Sequence, residues 1–123
     1  MGTVRSGIYT AATPPTYACM DDFGGPALSI HVTGFQFAVS ATMLTVTPIG
    51  MGATAMNGPV PTGATFSVTG VVAGTCTETY RLMGTFTDAT HFTGTFSFSL
   101  VGIDCALTTC TDQSFPVTGT VRM

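Results

Sequence analysis

The 123-residue sequence contains no tryptophan, no lysine and a single glutamate, Glu78. Only 7 % of its residues are charged, against about 25 % in an ordinary soluble domain. Three scattered arginines, Arg5, Arg81 and Arg122, leave a net charge of −3. Without a basic patch nothing can neutralise phosphates, which argues against nucleic acid as a partner. No apolar run approaches the ~18 uncharged residues of a membrane helix, so no transmembrane helix is expected. There is no CxxC pair, no Gly-x-Ser-x-Gly elbow and no DxDxDG-like loop. The usual signatures of zinc sites, hydrolase nucleophiles and calcium loops are therefore missing. His31 and His91 are weak evidence for zinc, and neither a metal nor a cofactor is expected.

Threonine replaces the missing charge, at about one residue in five, together with 15 glycines. Thr, Val and Phe suit a half-buried pleated surface and Gly suits turns and bends, so the composition predicts a single all-β domain over 1–123. The length allows one real core and no second domain.

The clearest signal is Thr75–Leu100. Phe86 and Phe92 flank the polar tip Asp88-Ala89-Thr90, a turn between two alternating runs. Setting Phe86 against Phe92 also pairs Gly84 with Gly94, Leu82 with Phe96, Tyr80 with Phe98 and Glu78 with Leu100. One face is then apolar, and the other carries Thr77, Thr79, Thr85, Thr87, Thr93, Thr95, Ser97 and Ser99. A slip of one residue would put the phenylalanines in water, so the pattern specifies the register.

The same alternation recurs along the chain. Val4–Thr10 ends at the Pro14-Pro15 break, and Tyr17–Pro26 reads as a loop. Ala27–Val32 and Phe35–Met43 are strands separated by a phase shift at Gly34, which suggests a bulge or a tight turn. Pro48–Gly63 reads as a long Gly/Pro/Met connection, with Met43, Met51 and Met56 as material for a lid. Ala64–Val72 follows, in a register that sets Phe66 against Leu82, Val68 against Tyr80 and Gly70 against Glu78. The last strand carries Phe115, Val117, Gly119 and Val121. Arg5 and Arg122 then become neighbours if the sheet closes.

Mid-strand glycines recur in Val-Thr-Gly and Phe-Thr-Gly steps, where a strongly coiled sheet bends and an aromatic covers the gap. Seven or eight strands at meander spacing, with bend glycines facing inward, predict a small antiparallel up-and-down β-barrel. The alternative is a two-sheet β-sandwich. In strand number and length the layout resembles the calycin barrels, the lipocalins and avidins. The resemblance covers architecture alone: the tryptophans of both families are absent here, and no residue roles are carried over.

Four cysteines, Cys19, Cys76, Cys105 and Cys110, read as two disulfides. That places the protein in an oxidising compartment, secreted or extracytoplasmic. No secretory signal is visible at Met1–Arg5, so the expected signal peptide is absent from this sequence. Cys105 and Cys110 bracket a short loop and suggest a local bridge, leaving Cys19 for Cys76, although three connectivities are open. Asp21, Asp22, Asp104 and Asp112 would gather around calcium only if their loops shared one end of the barrel. Solvated loop acids are the simpler expectation.

Glu78 is the candidate for chemistry, because an inward carboxylate would be desolvated and its pKa raised; the simpler expectation places it near the strand end at the barrel rim, meeting water or an arginine. The first functional expectation is a barrel that binds a small apolar molecule in its interior. Phe66, Tyr80, Phe96 and Phe98 would form the walls, Gly70 would leave room, and Glu78 would supply the polar contact. The competing possibility is that these side chains simply fill the barrel. The second expectation is a self-associating structural subunit with a Thr-rich packing face, in oligomers or filaments. Its proline-broken N-terminal segment could lend a strand to a neighbour. Catalysis ranks third, with Glu78 as the only candidate catalytic residue.

Overall fold

The computed structural model describes residues 5–121. Nine strands follow one another: β1 (Gly7–Ala11), β2 (Thr16–Met20), β3 (Pro26–Val39), β4 (Met43–Met51), β5 (Met56–Pro59), β6 (Thr65–Val72), β7 (Thr77–Phe86), β8 (His91–Val101) and β9 (Gln113–Val121). A short 3-10 helix, Ile103–Leu107, lies between the last two. The sheet runs β1-β9-β8-β7-β6-β5-β4-β3-β2, and β1 also pairs with β3. Eight strands thus close an antiparallel barrel, with β2 as an extra strand.

The closure explains why β3 is 14 residues long. Its second half pairs with β1, Tyr9 opposite Phe35, and its first half pairs with β2, Tyr17 opposite Ile30. β1 and β2 are therefore one strand course, broken at Pro14-Pro15 because proline cannot continue the ladder. Val32 still donates its N–H to the Pro15 carbonyl (3.0 Å). The strand predicted as available for a neighbour is used at home: Tyr9 lies opposite Val121 of β9 and closes the barrel. Arg122 lies outside the described residues. The phase shift at Gly34 is a register break between Val32 and Gly34 in the β3–β4 pairing.

The central hairpin has the register read from its sequence, from Phe86 opposite Phe92 to Glu78 opposite Leu100. The β6–β7 register differs from expectation by two residues. Phe66 lies opposite Gly84, Val68 opposite Leu82, Gly70 opposite Tyr80, and Val72 opposite Glu78. A shift of two keeps every side chain on its face, so alternation could not distinguish the two pairings. Packing decides it: the Phe66 ring lies over Gly84, where an added Cβ would stand 2.9 Å from Cζ.

Two predicted loops contain strands. Thr16–Met20 is β2, and Pro48–Gly63 holds the end of β4 and all of β5. Met56 is buried, whereas Met43 and Met51 are exposed at opposite ends of β4, so the three form no lid.

The interior is filled. Tyr9, Phe35, Phe37, Phe66, Phe86, Phe92 and Phe96 are buried with Leu44, Val46, Met56 and Leu82. Phe92 alone meets the rings of Tyr9, Phe35, Phe37, Phe66 and Phe86 at centroid distances of 5.4–6.3 Å. Edge-to-face contacts of this kind add to the effect of area burial.

Candidate functional site

The up-and-down course gives the barrel two unlike ends. At one lie the hairpin tip Thr87–Thr90, Arg5 and the turn after β3. At the other lie the turns after β2, β4 and β6 and the long connection after β8. Both disulfides are at the second end. Cys19 is bonded to Cys110, and Cys76 to Cys105.

This pairing corrects the expected Cys105–Cys110 and Cys19–Cys76 bridges. The 3-10 helix carries Cys105 beneath the β6–β7 turn, where Asp104 donates its N–H to the Thr75 carbonyl (3.2 Å) and accepts from the Thr75 hydroxyl. The chain then runs along the free edge of β2. Thr109 donates its N–H to the Met20 carbonyl (2.8 Å), and Met20 donates to Thr109 Oγ1 (3.0 Å). That edge contact brings Cys110 to Cys19 and seals the seam between β2 and β9. Two disulfides are compatible with an extracytoplasmic setting, and no helix among the described residues is long and apolar enough to cross a membrane.

Glu78 is half-buried at the stapled end, between Val72 and Leu100 on the neighbouring strands. The Tyr80 hydroxyl donates to Glu78 Oε1 and also lies 3.1 Å from the Gly52 carbonyl oxygen. Burial, then the hydrogen bond to Glu78 and its negative charge, hold the Tyr80 phenol well above its ordinary pKa. Beside Glu78 a small cleft of about 80 Å³ opens between Ala27, Leu28, Leu100 and the two disulfides.

The remaining predicted site residues are packed against one another. Phe66 contacts Phe37 and Phe86, Phe96 stacks on Tyr80, and Phe98 meets Tyr17, Tyr80 and Phe115. Gly70 admits backbone: a Cβ there would stand 2.2 Å from the Ala55 carbonyl oxygen. Thus Tyr80 and Glu78 meet directly, while Gly70 accommodates the β4–β5 connection.

Asp21, Asp104 and Asp112 do share the stapled end, each with a local donor. Asp21 Oδ1 accepts from the Phe23 and Gly25 N–H groups (2.8 and 3.0 Å), Asp112 Oδ1 from that of Leu100 (2.9 Å), and Asp104 from Thr75. Among the described residues no group of three or more His, Cys, Asp or Glu side chains is placed to hold a metal ion.

Sequence reasoning missed the apolar rim of this end. Phe23 is 95 % exposed and Ile103 86 %, and Met51, Val71, Val101 and Leu107 are also exposed. Most of the exposed large apolar side chains are gathered here. The signal was present where alternation fails, at Val71-Val72 and Leu100-Val101, and in a phenylalanine between Asp22 and Gly24.

The opposite end is organised differently. Asp88 Oδ1 accepts from Thr90 N–H (2.8 Å) and lies 2.9 Å from His91 Nδ1. These contacts, His91 first, lower the Asp88 carboxyl from 3.8 to about 2. Arg5 lines a cleft of about 270 Å³ with Ser6, Tyr9, Ala89, Thr90 and Val121. No protein-family model matches this chain, and no curated protein or solved structure matches it either.

Proposed function

We propose that this protein is a secreted structural module that self-associates through its outer surface. One observation carries the reading: aromatic side chains occupy the interior, while exposed apolar side chains collect at the disulfide-stapled end. Contiguous exposed apolar side chains on a soluble domain mark interaction surfaces. The barrel wall suits close packing too. Outward Thr65, Thr85, Thr93 and Thr118 align across β6 to β9, and Thr65 and Thr85 lie within hydrogen-bonding distance (3.1 Å). With so little charge on the wall, copies repel one another weakly. The two disulfides support an oxidising, extracellular setting.

Native mass spectrometry of the unreduced protein tests this reading. A ladder of oligomers without adduct is expected, each subunit four mass units below its reduced value. A bare monomer at hundreds of micromolar overturns it.

A second reading, binding of a small apolar molecule, rests on the cleft beside Glu78. Its apolar lining, single carboxylate and small volume suit a short aliphatic chain bearing one hydrogen-bond donor, and ethanol is the simplest probe. Ethanol should shift the methyl resonances of Leu28 and Leu100, and Glu78→Gln should weaken that response with the fold intact. Unchanged binding in the variant removes Glu78 from the site.

A further inference from the structure

The two ends of the barrel differ in charge as well as in apolar content. Asp21, Asp22 and Asp104 stand among the exposed apolar residues of the stapled end, with Glu78 half-buried behind them. Among the described residues no arginine lies in the connections of that end; Arg81, on β7, shares a cleft of the barrel wall with Asp112. Two such ends meeting face to face would bring like charges together as the apolar surface is dried, which opposes a symmetric contact.

Phe23 projects from this end on a hydrogen-bonded turn. Asp21 donates its N–H to the Gly25 carbonyl (2.8 Å), Gly24 donates to the Asp21 carbonyl (3.1 Å), and the Asp21 carboxylate receives the Phe23 and Gly25 N–H groups. The ring is exposed to water beside an exposed Asp22.

At the far end is a receptor of matching character. The cleft beside Arg5 measures about 270 Å³ and is bordered by the apolar side chains of Ala89 and Val121, with the buried Tyr9 beneath it. A cavity of about 150 Å³ already accepts benzene, so the cleft has room for a phenyl ring. Its floor is anchored, because the Tyr9 hydroxyl donates to the Arg5 carbonyl (3.2 Å). Among the described residues Arg5 has no carboxylate within ion-pair distance, and Asp88 nearby is engaged by Thr90 and His91.

We propose that the occupant of the stapled end is the opposite end of a second copy: Phe23 enters the cleft beside Arg5, Asp22 pairs with that arginine, and copies join head to tail. This rests on the self-association reading and adds its geometry. The contact is heterologous, so every open oligomer keeps one free knob and one free cleft, and growth continues unless a rotation closes a ring.

Sedimentation velocity on the disulfide-bonded protein tests the arrangement. The wild type should sediment faster as concentration rises, and less so in 1 M salt, which screens the Asp22–Arg5 pair. Phe23→Ser should remain monomeric, as should Asp22→Arg and Arg5→Glu when each is alone. An equimolar mixture of Asp22→Arg and Arg5→Glu restores opposite charges across the contact and should associate again. That recovery also shows both variants to be folded. A wild type that stays monomeric overturns self-association and this geometry together. A wild type that associates, with Arg5→Glu associating equally or the mixture failing to recover, overturns the head-to-tail contact alone.

Discussion

The ring of Phe92 covers Gly119 on the adjacent strand: a Cβ at 119 would stand 2.2 Å from Phe92 Cε2. The two residues are direct cross-strand partners in β8 and β9. A bare glycine under an aromatic lets the sheet coil tightly where it turns toward the β1–β9 closure. Gly119→Ala should therefore destabilise the barrel by about 1–3 kcal/mol through overpacking. In a Phe92→Leu background the same change should cost less. Urea denaturation of the four proteins in that cycle checks this, and equal costs in the two backgrounds would show that the pair is uncoupled.

Phe92 is also the hub of the aromatic core, touching five other rings. Phe92→Ala should cost about 3–5 kcal/mol, the range for a fully buried phenylalanine. A loss below 1 kcal/mol would mean that the interior collapses around the cavity far more readily than a closed barrel should.

The disulfides should contribute unequally. Cys19–Cys110 spans 91 residues and Cys76–Cys105 spans 29. Loop-closure entropy assigns about 4–5 kcal/mol to the first and about 3–4 kcal/mol to the second. Cys19→Ala with Cys110→Ala also unfastens the seam beside β2. Calorimetry should give the lower melting temperature for that pair of substitutions, and the reverse order would contradict a seam-sealing role.

Tyr80 makes the barrel sensitive to alkali. Its folded phenol titrates above the ordinary value of 10.0. The resulting stabilisation is complete below pH 10 and is lost as the pH rises through the folded value. Ultraviolet titration should show this phenol ionising late. Glu78→Gln removes a hydrogen-bonding, negative neighbour and should bring the titration down, short of 10 because burial persists. An unmoved titration would break the proposed link between the two side chains.

Asp88 works in the opposite sense. Its carboxyl is lowered from 3.8 to about 2, so its contribution is present above about pH 4 and disappears as the pH falls through 2. Carbon-detected NMR should place the midpoint near 2 in the native protein and closer to 3.8 in His91→Ala. A midpoint near 3.8 in the native protein would mean that His91 and Thr90 do not hold this carboxylate.

Much of the fold was legible because alternation is a local property. The facing of Phe86, Phe92, Phe96 and Phe98, the full register of the central hairpin, the phase shift at Gly34 and the break at Pro14-Pro15 all follow from side-chain period, turn composition and proline chemistry. The β6–β7 register was not legible. Pairings two residues apart expose and bury the same side chains, and the choice rested on how Phe66 packs over Gly84.

Composition and periodicity by themselves determined an all-β chain with one apolar face, two disulfides and a barrel as its most economical closure. Tertiary structure alone decided the disulfide partners, the pairing of both β1 and β2 with β3, and the surroundings of Glu78. Each depends on segments far apart in sequence. Cys110 reaches Cys19 only because the chain after the 3-10 helix lies along the free edge of β2. The contrast between the two ends has the same origin: Phe23, Met51, Val71, Val101 and Ile103 lie at strand ends or in the connections beyond them, and the up-and-down course delivers them to one rim.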